Sequence, residues 1–225
     1  MDGNEVREWT EARDQEIAEW VERLITEYHP DGNLDHTARL FLAFSSVRHR
    51  QVVGHTERVA LLARAVSLRM KKDDKAAFFA GILHDVGKLM LPSELFSGRE
   101  ITPDEYALIK QHALDGFRVL IKFHAFTASC AGLHHALYKQ GYGLTLDDLG
   151  EFIAKLGLDT VKKILDISAI ISICDFIDAF THRKTTIKDG SGALGKTLQE
   201  LLYVKYPNDL MVVDIALEEL ERNNL

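Results

Sequence analysis

The sequence predicts an all-α protein, a helical bundle with an N-terminal helical extension. Apolar residues recur at helical spacing through most of the 225 residues, and no segment alternates polar and apolar residues as a half-exposed strand would. The hydrophobic content of 46% and the charged content of 27% are typical of globular chains, and the length is sufficient to bury a sizeable core. We therefore expect one large helical domain with appended segments.

The helical spacing also gives the order of the predicted elements. The predicted helices cover residues 4–28, 34–47, 54–70, 73–83, 106–121, 125–138, 146–156, 159–180, 196–203 and 209–222. Thr102, Pro103 and Glu105 are typical of a helix start, as a cap, a first-turn proline and a third-position glutamate. We divide the chain into an N-terminal helical cap or extension (1–48), a core (49–190) and C-terminal closing helices packed on that core (191–225).

Charge and hydropathy exclude several classes of protein. The net charge of −7 at pH 7, with no basic stripe, argues against bulk nucleic acid as a partner but leaves room for a small phosphorylated ligand. No apolar stretch is long enough to span a bilayer, and the acidic N-terminus lacks the apolar core of a signal peptide. Cys130 and Cys174 lie among apolar residues, as thiols of a reducing compartment do. We expect a cytoplasmic protein with no membrane partner.

The first two predicted helices carry no catalytic motif. They are rich in acidic residues and include Trp9 and Trp20. We interpret them as a cap, or as an interaction surface for a homodimer or a regulatory protein partner.

Candidate metal ligands occur in five separate places, each at or inside an apolar helix. They are His55, His84 with Asp85, His112, His134 with His135, and Asp175. A buried imidazole or carboxylate is unfavourable unless a partner compensates it, and a cation compensates it well. In the apolar segment AIISICDFIDAF, Asp175 has almost wholly apolar neighbours, but periodicity alone cannot choose between it and Asp178, one turn later.

Together these residues resemble a known family. The series of His55, HDVGK at 84–88, His112, HH at 134–135 and Asp175 resembles the HD superfamily of metal-dependent phosphohydrolases. It is more narrowly similar to the HD-GYP subfamily of cyclic-dinucleotide phosphodiesterases, over roughly residues 49–187. The stretches GHTERVALLA, LHDVGKLMLPSELF, IKQHALDGFRVL and AIISICDFIDAF carry the resemblance. Their order and spacing make it specific.

The resemblance implies a site for two divalent transition-metal ions. One ion would be held by His55, His84 and Asp175, and the other by His112, His134 and His135, with Asp85 bridging both. Imidazole and carboxylate ligands favour Fe, Mn, Zn or Co, with Mg or Ni as further candidates. Asp85 and Lys88 would be the catalytic residues, and Lys88 would contact a phosphate oxygen of the substrate.

The sequence departs from the subfamily in the loop that gives it its name. The usual HH-E-x-x-D-G-x-G-Y-P is here HHALYKQGYG. Ala136 replaces the acidic residue, Lys139 and Gln140 stand where Asp-Gly is expected, and Gly143 replaces proline. Tyr142 is retained, and it is either a substrate contact or a structural turn residue.

Two further positions bear on the ligand set. Gln51 stands where some relatives have a glutamate that holds a third metal, so we expect two metals. The substrate-contacting arginine that often follows the last aspartate is absent in register, where Lys184 stands, and Arg183 is adjacent. Arg183 and Lys184 are therefore candidate substrate-binding cations.

These observations give one leading function and two alternatives. The leading one is a metal-dependent phosphohydrolase that cleaves a phosphoester of a nucleotide or cyclic dinucleotide with a water activated by two metals. Because the departures spare the metal ligands and alter the substrate loop, we expect slow or absent hydrolysis of cyclic di-GMP. The alternatives are a nucleotidase acting on mononucleotides and a non-catalytic, metal-containing signalling or interaction module.

Overall fold

The computed structural model describes residues 3–30, 33–138, 141–153, 155–182 and 197–225. Within these ranges the regular structure is helical throughout and contains no strand, which confirms the all-α prediction. No helix in the described part of the chain combines the length and the apolar character needed to cross a bilayer.

The helices follow the predicted order. They are α1 (Gly3–Tyr28), α2 (Leu34–Arg48), α3 (Arg50–Arg69), α4 (Asp74–Leu83), α5 (Pro103–Ile109), α6 (His112–Leu120), α7 (Ala125–Leu133), α8 (Gly150–Ile153), α9 (Leu158–His182), α10 (Leu198–Lys205) and α11 (Leu210–Asn223). Two 3-10 turns, Val86–Met90 and Ser93–Phe96, connect α4 to the segment before α5. The predicted loop at 184–195 lies outside the described residues.

The predicted start of α5 is confirmed in detail. The Thr102 side chain accepts a hydrogen bond from the Glu105 amide at 3.2 Å, and the Glu105 carboxylate accepts one from the Thr102 amide at 2.8 Å. This reciprocal pair satisfies two amides that a helix start otherwise leaves without partners.

Three predicted helices are shorter or divided, and two of these differences have a local cause. The predicted helix 106–121 breaks at Lys110 and Gln111, and the His112 ring takes up the freed carbonyl of Ile109. The predicted helix 125–138 ends at Leu133, because the loop that follows folds back and bonds to the last turn of the helix. The Leu144 amide donates to the Gly132 carbonyl at 3.0 Å. Among the described residues of the predicted helix 146–156, only the four of α8 are helical.

The core is built around α3 and α9, which contribute eleven buried residues each. α3 packs against α4, α9 and α11, and α7 packs against α4, α6 and α9. The helices α1 and α2 rest on α3, where Val21, Ile25 and Phe41 share an apolar cluster with Phe78 and Phe79 of α4. The division of the chain at residues 48 and 190 stays a prediction.

Both cysteines lie in this core as free thiols. Cys130 and Cys174 are fully buried, and burial raises the pKa of the Cys130 thiol to about 12. Neither thiol is therefore ionised near neutral pH, as expected of cysteines that pack as small apolar groups.

Candidate metal centre

The structure brings the seven predicted ligands together from five parts of the fold. His55 lies in α3, His84 and Asp85 follow the end of α4, His112 begins α6, His134 and His135 follow the end of α7, and Asp175 lies in α9. They form three overlapping groups: His55 with His84 and Asp175; His112 with His134 and His135; His84 with Asp85 and His134. Within each group the candidate ligand atoms lie within 4.8 Å of one another.

Three of the histidines are oriented by the backbone at a helix terminus or break. The Nδ1 atoms of His84, His112 and His134 lie 2.7, 2.7 and 2.6 Å from the carbonyl oxygens of Gly81, Ile109 and Ala131, each three residues earlier. A carbonyl oxygen only accepts, so Nδ1 must carry the hydrogen in each ring. The lone pair of each Nε2 is therefore available to bind a cation.

Asp85 lies between the first two of these groups, which we call the two main groups. Its Oδ1 is 3.2 Å from His112 Nε2, and its Oδ2 is 3.4 Å from Nε2 of both His55 and His84. The Lys88 ammonium donates a hydrogen bond to the same Oδ2, and both residues are buried. This position is the one a bridging carboxylate requires.

The turn that carries Asp85 and Lys88 is pressed against α6. A Cβ on Gly87 would lie 2.0 Å from the carbonyl oxygen of His112, so only glycine allows this approach. The close contact holds Asp85 within reach of His112.

The geometry separates Asp175 from Asp178. Asp175 Oδ1 lies 3.1 Å from His55 Nε2, and its Oδ2 lies 3.8 Å from His135 Nε2, inside the cluster. Asp178 Oδ2 lies 2.6 Å from His55 Nδ1, on the opposite side of the same ring. Asp178 also accepts hydrogen bonds from Arg58, a residue that the sequence motif contains but that our sequence reasoning did not single out.

The electrostatics suit a cation. Burial would raise the pKa of the Asp85 carboxyl, but His84 and Lys88 hold it well below its usual range. Burial would lower the pKa of His55, but Asp175, Asp178 and Asp85 raise it to about 10. Burial, together with His84 and His112, lowers the pKa of His134 to about 3. Metal binding needs ionised carboxylates and neutral imidazoles, so a metal at this centre would displace the proton that the carboxylates favour on His55.

The strongest indication of a metal site is a set of buried atoms without partners. Among the described residues, Nε2 of His55, His84, His112 and His134 and Oδ1 of Asp85 are buried and make no hydrogen bond, although carboxylate oxygens lie 3.1–3.4 Å from three of these nitrogens. An unsatisfied buried polar atom costs about 1–3 kcal/mol, so five of them converging on one place are unfavourable in the metal-free protein. A divalent cation would satisfy them, so the residues present fit a metal centre. Their assignment as ligands stays a prediction.

The loop after His135 folds back over the centre. The Tyr142 ring stacks on the His135 ring at 4.4 Å between centroids, and its amide donates to the His135 carbonyl at 2.8 Å. The Tyr138 hydroxyl lies 3.4 Å from His135 Nδ1, a contact that the sequence did not predict. Tyr142 therefore packs on a candidate ligand, and its predicted substrate contact stays a prediction. Arg183 and Lys184 lie outside the described residues.

Known proteins show sequence similarity to this chain. The family model for the HD domain matches residues 52–180. A cyclic di-GMP phosphodiesterase of Thermotoga maritima is 27% identical over 173 residues, 73% of this chain and 43% of that protein. A cyclic di-GMP phosphodiesterase of Pseudomonas aeruginosa is 26% identical over 149 residues, 62% of this chain and 32% of that protein. The match spans less than half the length of either relative.

Two solved structures are also similar. The HD domain of the L. monocytogenes phosphodiesterase PgpH gives a TM-score of 0.47 at 19% identity, over 82% of this chain and 85% of that chain. The same domain in complex with cyclic-di-AMP gives a TM-score of 0.48 at 20% identity, over 82% of this chain and 84% of that chain.

Proposed function

The chain belongs to the HD domain family, and on this basis we propose that it is a metal-dependent phosphohydrolase acting on a nucleotide-like phosphodiester, with cyclic dinucleotides as the first class to test. The observation that carries the proposal is the convergence of four unpartnered histidine nitrogens and one unpartnered oxygen of Asp85 in a buried cluster. Both curated relatives are named cyclic di-GMP phosphodiesterases, which supports phosphodiesters over other esters.

Two metal ions fit the two main groups of ligands. His55, His84 and Asp175 would hold one, His112, His134 and His135 the other, and Asp85 would serve both. Nitrogen and oxygen donors without a thiolate favour Fe, Mn, Zn or Co. When bound, such a pair supplies Lewis acidity that lowers the pKa of a water nucleophile and stabilises charge on phosphate oxygens.

The residues of the chain have separate roles in this proposal. Lys88 donates to Asp85 in the structure, and cations on Asp85 would compete for that carboxylate. The released ammonium would lie beside the metal centre as a donor for a phosphate oxygen. Tyr142, stacked on His135, excludes water from one side of the ligands.

Hydrolysis assays with a matched pair of histidine variants test the proposal. The full chain, loaded with Mn²⁺ or Fe²⁺, is assayed with cyclic di-GMP, other cyclic dinucleotides, linear dinucleotides and mononucleotides. We expect a phosphodiester to be cleaved, with cyclic di-GMP slower than at least one other substrate because the HHALYKQGYG loop is altered. His84→Ala should abolish turnover, and His36→Ala, at an exposed histidine of α2, should not.

Two results would contradict the proposal. Release of inorganic phosphate from mononucleotides alone would support the nucleotidase. Stable metal binding with no hydrolysis of any substrate in the panel would support the non-catalytic module.

A further inference from the structure

We propose that Asp178 is a positioning residue whose carboxylate determines which nitrogen of His55 faces the metal. Arg58 holds that carboxylate in the required orientation. This inference rests on the proposed function, because it assumes that His55 is a metal ligand.

The contacts of Asp178 form a network that is largely buried except at His182. Its Oδ2 lies 2.6 Å from His55 Nδ1 and accepts from one terminal nitrogen of Arg58 at 3.2 Å. Its Oδ1 accepts from Arg58 Nε at 2.5 Å and lies 3.1 Å from His182 Nδ1. The Asp178 residue is 4% exposed, so water does not replace these partners.

His55 needs this side chain because of its place in the fold. His84, His112 and His134 stand at helix ends or breaks, where a backbone carbonyl is available to accept from Nδ1. His55 lies inside α3, where carbonyl oxygens accept the hydrogen bonds of the helix itself. A carboxylate from α9 takes the place of the carbonyl, and it leaves Nε2 of His55 to the metal.

Arg58 makes the identity of residue 178 critical. An asparagine there would have one oxygen and one amide nitrogen in place of two oxygens. Arg58 donates to both oxygens, but its contact with Oδ1 at 2.5 Å is much shorter than its contact with Oδ2 at 3.2 Å. The asparagine oxygen would therefore take the Oδ1 position, and its NH₂ group would face His55 and the longer contact. His55 Nδ1 would then accept, and its Nε2 would carry a hydrogen and lose its capacity to bind the metal.

This reasoning predicts that a second substitution rescues the first. In Arg58→Met with Asp178→Asn, no guanidinium dictates the amide orientation, and the asparagine oxygen is able to accept from His55 again. Replacing both charged partners also avoids leaving one buried charge alone. The double variant should therefore bind metal more tightly than Asp178→Asn does.

The test is calorimetric titration of the full chain with Mn²⁺. Wild type, Asp178→Asn, Arg58→Met with Asp178→Asn, and Asp166→Asn are compared, the last being a control on the same helix that pairs with Lys72. We expect Asp178→Asn to weaken one binding event about tenfold or more, the double variant to recover most of the loss, and Asp166→Asn to match wild type. In zinc-loaded, ¹⁵N-histidine-labelled protein, His55 should show metal-bound Nε2 in wild type and lose that signal in Asp178→Asn.

Each contrary result would overturn a different claim. Wild-type affinity in Asp178→Asn would overturn the positioning role, and a double variant as weak as Asp178→Asn would overturn the role given to Arg58. A wild type that binds Mn²⁺ but hydrolyses nothing would contradict the proposed function, and the affinity comparison would still decide this inference. A wild type that binds no Mn²⁺ would contradict both.

Discussion

The candidate ligands of the centre are held in two different ways. His84, His112 and His134 are oriented by backbone carbonyls at distances of 2.6–2.7 Å. His55 and His135 depend on side chains, the carboxylate of Asp178 at 2.6 Å and the hydroxyl of Tyr138 at 3.4 Å. No single substitution removes a backbone carbonyl, so the first set is protected from mutation. In the second set, replacing the supporting side chain can disturb a candidate ligand without changing the ligand itself.

The largest expected effect comes from Asp85, which serves both groups however their histidines are held. Asp85→Ala should remove both ions and lower hydrolysis by more than about a hundredfold, since even losing a partner of a ligand typically costs ten- to a hundredfold. Elemental analysis of the purified variant measures the metal content. His112→Ala should lose mainly one ion, and an Asp85→Ala protein that keeps both would contradict the bridging role.

Metal binding should also stabilise the fold, because it satisfies the unpartnered nitrogens of both sets. Each bound ion, with free Mn²⁺ at about 100 times its Kd, adds about 2.7 kcal/mol to the free energy of unfolding. For a chain of this size, that corresponds to a rise in Tm of about 5–10 °C, reversed by a chelator. Differential scanning calorimetry checks this, with Asp85→Ala as the variant that should not respond. An equal rise in both proteins would point to metal binding elsewhere.

A smaller effect is expected from Lys88, which belongs to neither set. Lys88→Ala removes a charged donor to phosphate, and such a contact contributes about 1.5–3 kcal/mol, roughly ten- to a hundredfold in turnover. The metal content should stay at the wild-type value. Steady-state kinetics together with elemental analysis separate the two effects, with Lys162→Ala as an exposed control. Loss of metal in Lys88→Ala would show that Lys88 supports the ligands and not the substrate.

The smallest effect is expected at Tyr138. Its contact with His135 is long and uncharged, and a neutral hydrogen bond contributes about 0.5–1.5 kcal/mol at normal length. Tyr138→Phe should therefore weaken Mn²⁺ binding by about threefold at most, measured by the same titration that tests Asp178→Asn. A loss as large as that of Asp178→Asn would remove the distinction between a charged and a neutral partner.

Much of this arrangement could be predicted from the sequence, because ligands of one site must lie on helix faces that meet. The helical class, the α5 cap at Thr102 and the five places that hold candidate ligands follow from spacing and residue type. The choice between Asp175 and Asp178 did not, since the two lie one turn apart and both are buried. The resemblance to the HD superfamily joined these places into one site and selected Asp175, and the position of the His55 ring between the two carboxylates separates their roles.

The helix boundaries near the site could not be predicted from the sequence either. The break before His112 and the end of α7 before His134 occur where the histidine rings bond to backbone carbonyls, in place of continued helix. Helical propensity does not report such side-chain competition. The stacking of Tyr142 on His135 likewise depends on a loop that folds back from outside the helix.

The central claim is that two metal ions share one carboxylate in this cluster. Anomalous X-ray diffraction from crystals of the full chain grown with Mn²⁺ tests it most directly. The account predicts two anomalous peaks, one among His55, His84 and Asp175 and one among His112, His134 and His135, with Asp85 between them. A single peak, or a peak coordinated by Asp178 in place of Asp175, would contradict it.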